Sequence, residues 1–134
     1  MTISQRFHTG LSMPEEEVTK VLASWRDYFN GRLPDLLLGL YSKDATFFGT
    51  SKSGLHRGAS EIRSYFPSTY EVSFREWDVI PVACDSLLVI GTYAFGRDQP
   101  GGQDELPARF SLVLRLDGGR LRILHHHSSL EPGD

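Results

Sequence analysis

The chain changes its hydrophobic period partway along, and that change constrains the fold more than any other feature. Val18, Val21, Leu22, Trp25, Tyr28 and Phe29 recur at three- and four-residue spacing, which gathers them on one face of a helix. Ser12 and Glu15 have the spacing of a capping box, Pro14 stands where a first turn tolerates proline, and Glu15, Glu16 and Glu17 suit the positive end of the helix dipole. Asn30 and Gly31 end the helix. Pro34 opens a shorter helix, with Leu36, Leu37, Leu40 and Tyr41 expected to face inward, and a third helix is expected from Ala59 to Phe66, stopped by Pro67. Between these two lies a short β-type run from Ala45 to Gly49. Beyond Pro67 the helical period disappears. Tyr70 to Val82, Leu87 to Gly96, Leu106 to Leu116 and Arg120 to Ser129 read as strands, separated by turns rich in Asp, Gly and Pro, of which Asp117-Gly118-Gly119 is the clearest hairpin.

Helices first and strands second within one small domain define an α+β architecture. Three N-terminal helices packed on one face of an antiparallel sheet are expected. Long strands twist and coil, so helices laid across them leave a concavity that aromatic side chains can line. Residues 1–12 are expected to form a flexible arm and residues 13–130 a single domain. With 40% hydrophobic and 23% charged residues the composition is that of an ordinary globular protein, and a net charge of -3 gives no electrostatic reason to expect nucleic acid or an anionic membrane as partner. Cys84 is the only cysteine, so no intrachain disulfide can form and a cysteine-based zinc site lacks ligands. Met1 to Gly10 lack the apolar stretch of a signal peptide, and no apolar run approaches the length of a bilayer span, so a cytoplasmic protein is expected.

The element order resembles the nuclear transport factor 2-like superfamily, which includes SnoaL-like polyketide cyclases, ketosteroid isomerase and scytalone dehydratase. Trp25, Tyr28 and Phe29 before Gly31, the stretch from Leu40 to Phe47, and Gly58 with Ile62, Tyr65 and Phe66 resemble the first half of its pattern. Arg109 to Val113, the Asp117-Gly118-Gly119 turn, and Arg122 to Ser129 resemble the end of the branch that holds the association domain of calcium/calmodulin-dependent protein kinase II and its small bacterial relatives. One departure is that Arg120-Leu121-Arg122 stands where family members usually carry a tryptophan. The superfamily holds enzymes, binding proteins and assembly domains on one scaffold, so the resemblance implies a fold more sharply than an activity: a cone-like α+β barrel, with three N-terminal helices packed on a strongly curved antiparallel sheet. In the association domain, arginines on the later strands belong to the pocket, so the resemblance implies that Arg109 with Ser111 forms an anion-recognising pair.

The run His125, His126, His127 is the most unusual local feature. Strand neighbours alternate faces, so His125 and His127 share one side and His126 takes the other. Three readings stand: hydrogen bonds that stabilise the last strand and a subunit interface, acid/base or ligand-binding work by imidazole, and a metal site with His125 and His127 as two ligands and no evident third. Asp27, Asp44, Glu76 and Asp78 are the acidic candidates for a pocket base, His56 a candidate at a pocket mouth, and Cys84 has no obvious base beside it.

The expectation is therefore a small-molecule-binding domain, dimeric through its open sheet face, with Arg109, Trp25, Tyr28, Tyr93, Ser111 and His126 as ligand-binding residues. The ligand is expected to be a small organic compound, anionic or polar-headed, and no metal or cofactor is called for. The alternatives are a cofactor-independent cyclase, isomerase or dehydratase in which His127 or His125 moves a proton, and an oligomerisation module like the kinase association domain.

Overall fold

A computed structural model describes residues 14–133. The predicted arm and the Ser12 cap lie outside the described residues. The first helix, α1 (Pro14–Asn30), buries Val18, Leu22, Trp25 and Phe29 along the stripe that the spacing predicts. Each large apolar side chain so buried contributes roughly 1.5–3 kcal/mol. The helix stops where the chain turns left-handed at Arg32, with φ 58°, and the Arg32 guanidinium donates to the carbonyls of Phe29 at 3.1 Å and Tyr70 at 2.7 Å. Asn30 ties this end to the sheet: its amide donates to the Val72 carbonyl at 3.1 Å and its oxygen accepts the Val72 N–H at 2.7 Å, as a neighbouring strand would.

The second helix, α2 (Pro34–Leu38), is shorter than expected. Leu37 is buried but Leu36 is 53% exposed, because successive residues on a helix point about 100° apart and only one of the two can face the core. Gly39 closes the turn, and Tyr41 already belongs to strand β1 (Tyr41–Phe48), which starts earlier than predicted. The two-residue β2 (His56–Arg57) leads into α3 (Gly58–Arg63), whose predicted last turn, through Phe66, is continued by tighter bonds from Tyr65 N–H to Ile62 and from Phe66 N–H to Arg63.

Four long strands follow: β3 (Glu71–Ala83), β4 (Ser86–Gln99), β5 (Gly102–Asp117) and β6 (Arg120–Leu130). The β4 and β5 arms run past their predicted ends, since Arg97 pairs with Asp104 and Asp98 with Gln103 although neither pair continues the apolar alternation. The sheet order is β2-β1-β6-β5-β4-β3. All neighbours are antiparallel except β1 and β6, which run parallel, so the sheet is mixed, and it curves without closing into a barrel. Two bulges set which side chains face the helices. On β3, Arg75 has no counterpart between the Phe74/Tyr93 and Glu76/Thr92 pairs, so the inward set passes from Val72 and Phe74 to Trp77 and Val79. On β6, Leu124 is the extra residue between the Ile123/Leu114 and His125/Val113 pairs, and the buried set passes from Leu121 and Ile123 to His126 and Ser128.

Candidate functional site

The bulge at Leu124 brings His126, and neither His125 nor His127, to the concave face of the sheet. His126 is 2% exposed and stands among Phe47, with ring centres 4.7 Å apart, and Trp25, edge-on at 5.8 Å. Tyr41 Oη lies 2.9 Å from its Nδ1 and Tyr93 Oη 3.1 Å from its Nε2. Trp25 Nε1–H donates to Tyr41 Oη at 3.0 Å, and Tyr93 Oη lies 2.5 Å from Ser128 Oγ. Five side chains from α1, β1, β4 and β6 thus form one buried hydrogen-bonded chain. Burial is the main reason that the His126 pKa falls to about 3, with smaller contributions from His125 and His127, so the ring is neutral near pH 7. Burial likewise pushes both the Tyr41 and the Tyr93 hydroxyls well above the ordinary tyrosine value.

All of this chain but Tyr41 lines a cavity of about 240 Å3 between helices and sheet. Trp25, Phe29, Phe47, Phe66, Phe95 and Leu106 supply apolar walls, and Tyr93, His126 and Ser128 the polar floor. At the mouth, the Tyr65 hydroxyl accepts the N–H groups of Ser51 and Lys52, each at 2.8 Å. Gly49 makes room for this crossing, since a Cβ there would stand 2.1 Å from the Tyr65 hydroxyl. Tyr70 closes another side, donating to Asp104 at 2.9 Å with the Arg97 guanidinium 4.4 Å above its ring. No charged side chain is found among the described lining residues.

Of the predicted ligand-binding residues, the structure brings Trp25, Tyr93 and His126 to this cavity. Tyr28 packs instead beside Arg32, Leu33 and Pro34. Arg109 and Ser111 do not share the aromatic hollow. Ala108, Phe110, Leu112 and Leu114 take the inward positions of β5, so the pleat turns Arg109, Ser111 and Val113 to the opposite face. There Arg109, Ser111 and His127 line an open groove of about 530 Å3 together with Glu76, Asp78 and Ile90. His125 is held by Thr46 Oγ1 at 2.7 Å, and its pKa is lowered by partial burial and then by His127. Asp27 pairs with Arg26 on the surface, and Asp44 and Cys84 are exposed. His56 is half-buried beside Tyr65, with ring centres 5.2 Å apart. No cluster of three metal-ligating side chains occurs among the described residues, and no helix among them is long and apolar enough to cross a membrane.

Among the site residues that the sequence reading missed are Tyr41, Tyr70, Phe95, Leu106 and Ser128. Ser128 carried a usable signal, since it lies two residues beyond His126 and so shares its face.

A helix layer over an open curved sheet, with an apolar cavity and a polar floor between them, defines a cavity-bearing α+β cone. The chain belongs to the SnoaL-like domain family, whose profile matches residues 18–132. Solved structures with this fold include a protein described as a calcium/calmodulin dependent protein kinase II association domain from Xanthomonas campestris, with a TM-score of 0.80 and 22% identity over 92% of this chain and 95% of that one. An NTF-2 like protein of unknown function from Shewanella oneidensis MR-1 has a TM-score of 0.74 and 17% identity over 87% and 99% of the two chains. A ketosteroid isomerase-like protein from Erwinia carotovora atroseptica has a TM-score of 0.74 and 12% identity over 92% and 100%. At these identities the likeness is one of fold. No curated protein matches the chain.

Proposed function

We propose that the protein binds a small, uncharged, largely apolar organic molecule in the cavity between helices and sheet. The observation that carries this reading is the pairing of aromatic walls with an uncharged polar floor at Tyr93, His126 and Ser128, the remaining polar lining being the hydroxyls of Thr50, Ser51, Ser68 and Thr69 and of Tyr65 and Tyr70. A volume of about 240 Å3 exceeds the roughly 150 Å3 apolar cavity that accepts benzene, and it suits a bicyclic compound. The lining argues against the anionic ligand expected from Arg109, because an anion there would be desolvated with no cation to pair with. Against the proton-transfer alternative, His127 lines the groove on the opposite face and His125 is held by Thr46, while His126, the histidine in the cavity, has a pKa near 3 and is a weak base at neutral pH. The test is a thermal-shift comparison of 2-acetylnaphthalene with 2-naphthoate on wild type and on Leu106→Trp, which fills the cavity. Stabilisation of wild type by the neutral compound, lost in Leu106→Trp, is the expected result. Stabilisation by naphthoate alone, or by neither compound, overturns the reading.

The same proposal has a second copy of the chain covering the open face of the sheet. Ile80, Val82 and Ile90 stand 39%, 55% and 38% exposed on that face, where a monomer would leave them to water. Glu76 and Asp78 on β3 face the same groove as Arg109 on β5, so a two-fold axis through the groove lets acid and base of one copy meet base and acid of the other.

A further inference from the structure

The polarity of the buried chain determines what the cavity floor offers. Four hydrogen bonds join five groups, Trp25, Tyr41, His126, Tyr93 and Ser128, and each group brings one hydrogen when His126 is neutral. One hydrogen is therefore left over, and its place depends on the His126 tautomer. If Nδ1 carried the proton it would donate to Tyr41, whose oxygen already accepts from Trp25. The Tyr41 hydrogen would then be stranded in the core, where that hydroxyl has no other partner and the residue is 5% exposed. An unmet buried donor is costly. With the proton on Nε2, every link points the same way: Trp25 to Tyr41, Tyr41 to Nδ1, Nε2–H to Tyr93, and Tyr93 to Ser128. The spare hydrogen then sits on the hydroxyl of Ser128, a residue of the cavity lining.

We infer that Ser128 presents this one unshared hydrogen as a donor, and that the cavity selects neutral compounds carrying a hydrogen-bond acceptor, such as a ketone or ester carbonyl, over hydrocarbons of the same shape. The inference rests on the cavity-binding reading above and adds the chemistry of the ligand's polar end. The chain also makes the donor durable. Trp25 has only a proton to give, so it fixes the direction of every bond downstream of it.

The test compares 2-acetylnaphthalene with its isostere 2-isopropenylnaphthalene, in which a CH2 replaces the carbonyl oxygen, on wild-type protein. With each affinity referred to the compound's cyclohexane–water partition, the ketone is expected to bind at least roughly tenfold tighter. Its bound carbonyl stretch is expected at lower frequency than in cyclohexane, and nitrogen-15 NMR is expected to show His126 protonated on Nε2. Equal referred affinities with an unshifted carbonyl, or a proton on Nδ1, overturn the donor assignment while leaving the cavity reading intact. Failure of both compounds to bind overturns both.

Discussion

Tyr41 Oη lies 2.9 Å from His126 Nδ1, a bond that joins the start of β1 to the middle of β6 across 85 residues of sequence. It also sits between two others, since Trp25 donates to Tyr41 and His126 reaches Tyr93. Tyr41→Phe keeps the ring but strips Trp25 of its acceptor and His126 of its donor. A loss of about 1–3 kcal/mol in unfolding free energy is expected, read by urea denaturation with an unchanged slope. By contrast Asp35→Asn, which breaks the exposed pair with Arg63, is expected to change stability by less than about 1 kcal/mol. Equal effects from the two variants would contradict a structural role for the buried chain.

The depressed pKa of His126 makes stability fall in acid. Above the ordinary histidine value of 6.5 the ring is neutral in both the folded and the unfolded chain, so it adds no pH dependence. As pH drops from 6.5 toward about 3, the unfolded chain takes up a proton that the folded one refuses, and stability declines by up to about 1.4 kcal/mol per pH unit. Urea titrations at pH 7.5, 6 and 5 on wild type and His126→Gln check this. The variant is expected to show the shallower dependence, and parallel curves would refute it.

Much of this site was legible in the sequence, and the part that was not has physical causes. The α1 stripe, the four long strands and the aromatic supply follow from periodicity, and Trp25, Tyr93 and His126 reach the cavity they were expected to line. What periodicity leaves open is the face a strand turns inward after an irregularity. Alternation separated His126 from its two neighbours, but only the bulge at Leu124 decides that His126 goes in. Arg109 shows the opposite case. The apolar residues at 108, 110, 112 and 114 point it away from the core, so the anion-recognising pair that the family resemblance implies falls on the opposite face of the sheet. The β1–β6 pairing joins distant segments in parallel, and nothing in either strand alone announces it.

Gly91 is required by close approach. A Cβ there would lie 2.2 Å from the Glu76 carbonyl oxygen and 2.9 Å from the Phe110 ring, and the first contact is backbone that cannot swing aside. Gly91→Val is expected to cost roughly 3 kcal/mol or more, visible as a large drop in melting temperature. A variant melting with wild type would show that β3 and β4 are not packed this closely.

The open face of the sheet gives a prediction on assembly. Light scattering on wild type is expected to return the mass of two chains, and Ile90→Glu, which adds a carboxylate beside Glu76 and Asp78, is expected to return one. Arg109→Glu should act in the same direction by removing the groove's cation. A monomeric wild type would contradict the dimer outright.

The most direct test of the account locates the ligand. Intermolecular nuclear Overhauser effects between 2-acetylnaphthalene and the protein would show which face it occupies. The account predicts contacts from the naphthyl protons to the rings of Trp25, Phe47 and Tyr93, with the acetyl methyl close to Ser128. Contacts to Ile90, Thr92 and Arg109 instead, on the opposite face of the sheet, would contradict it.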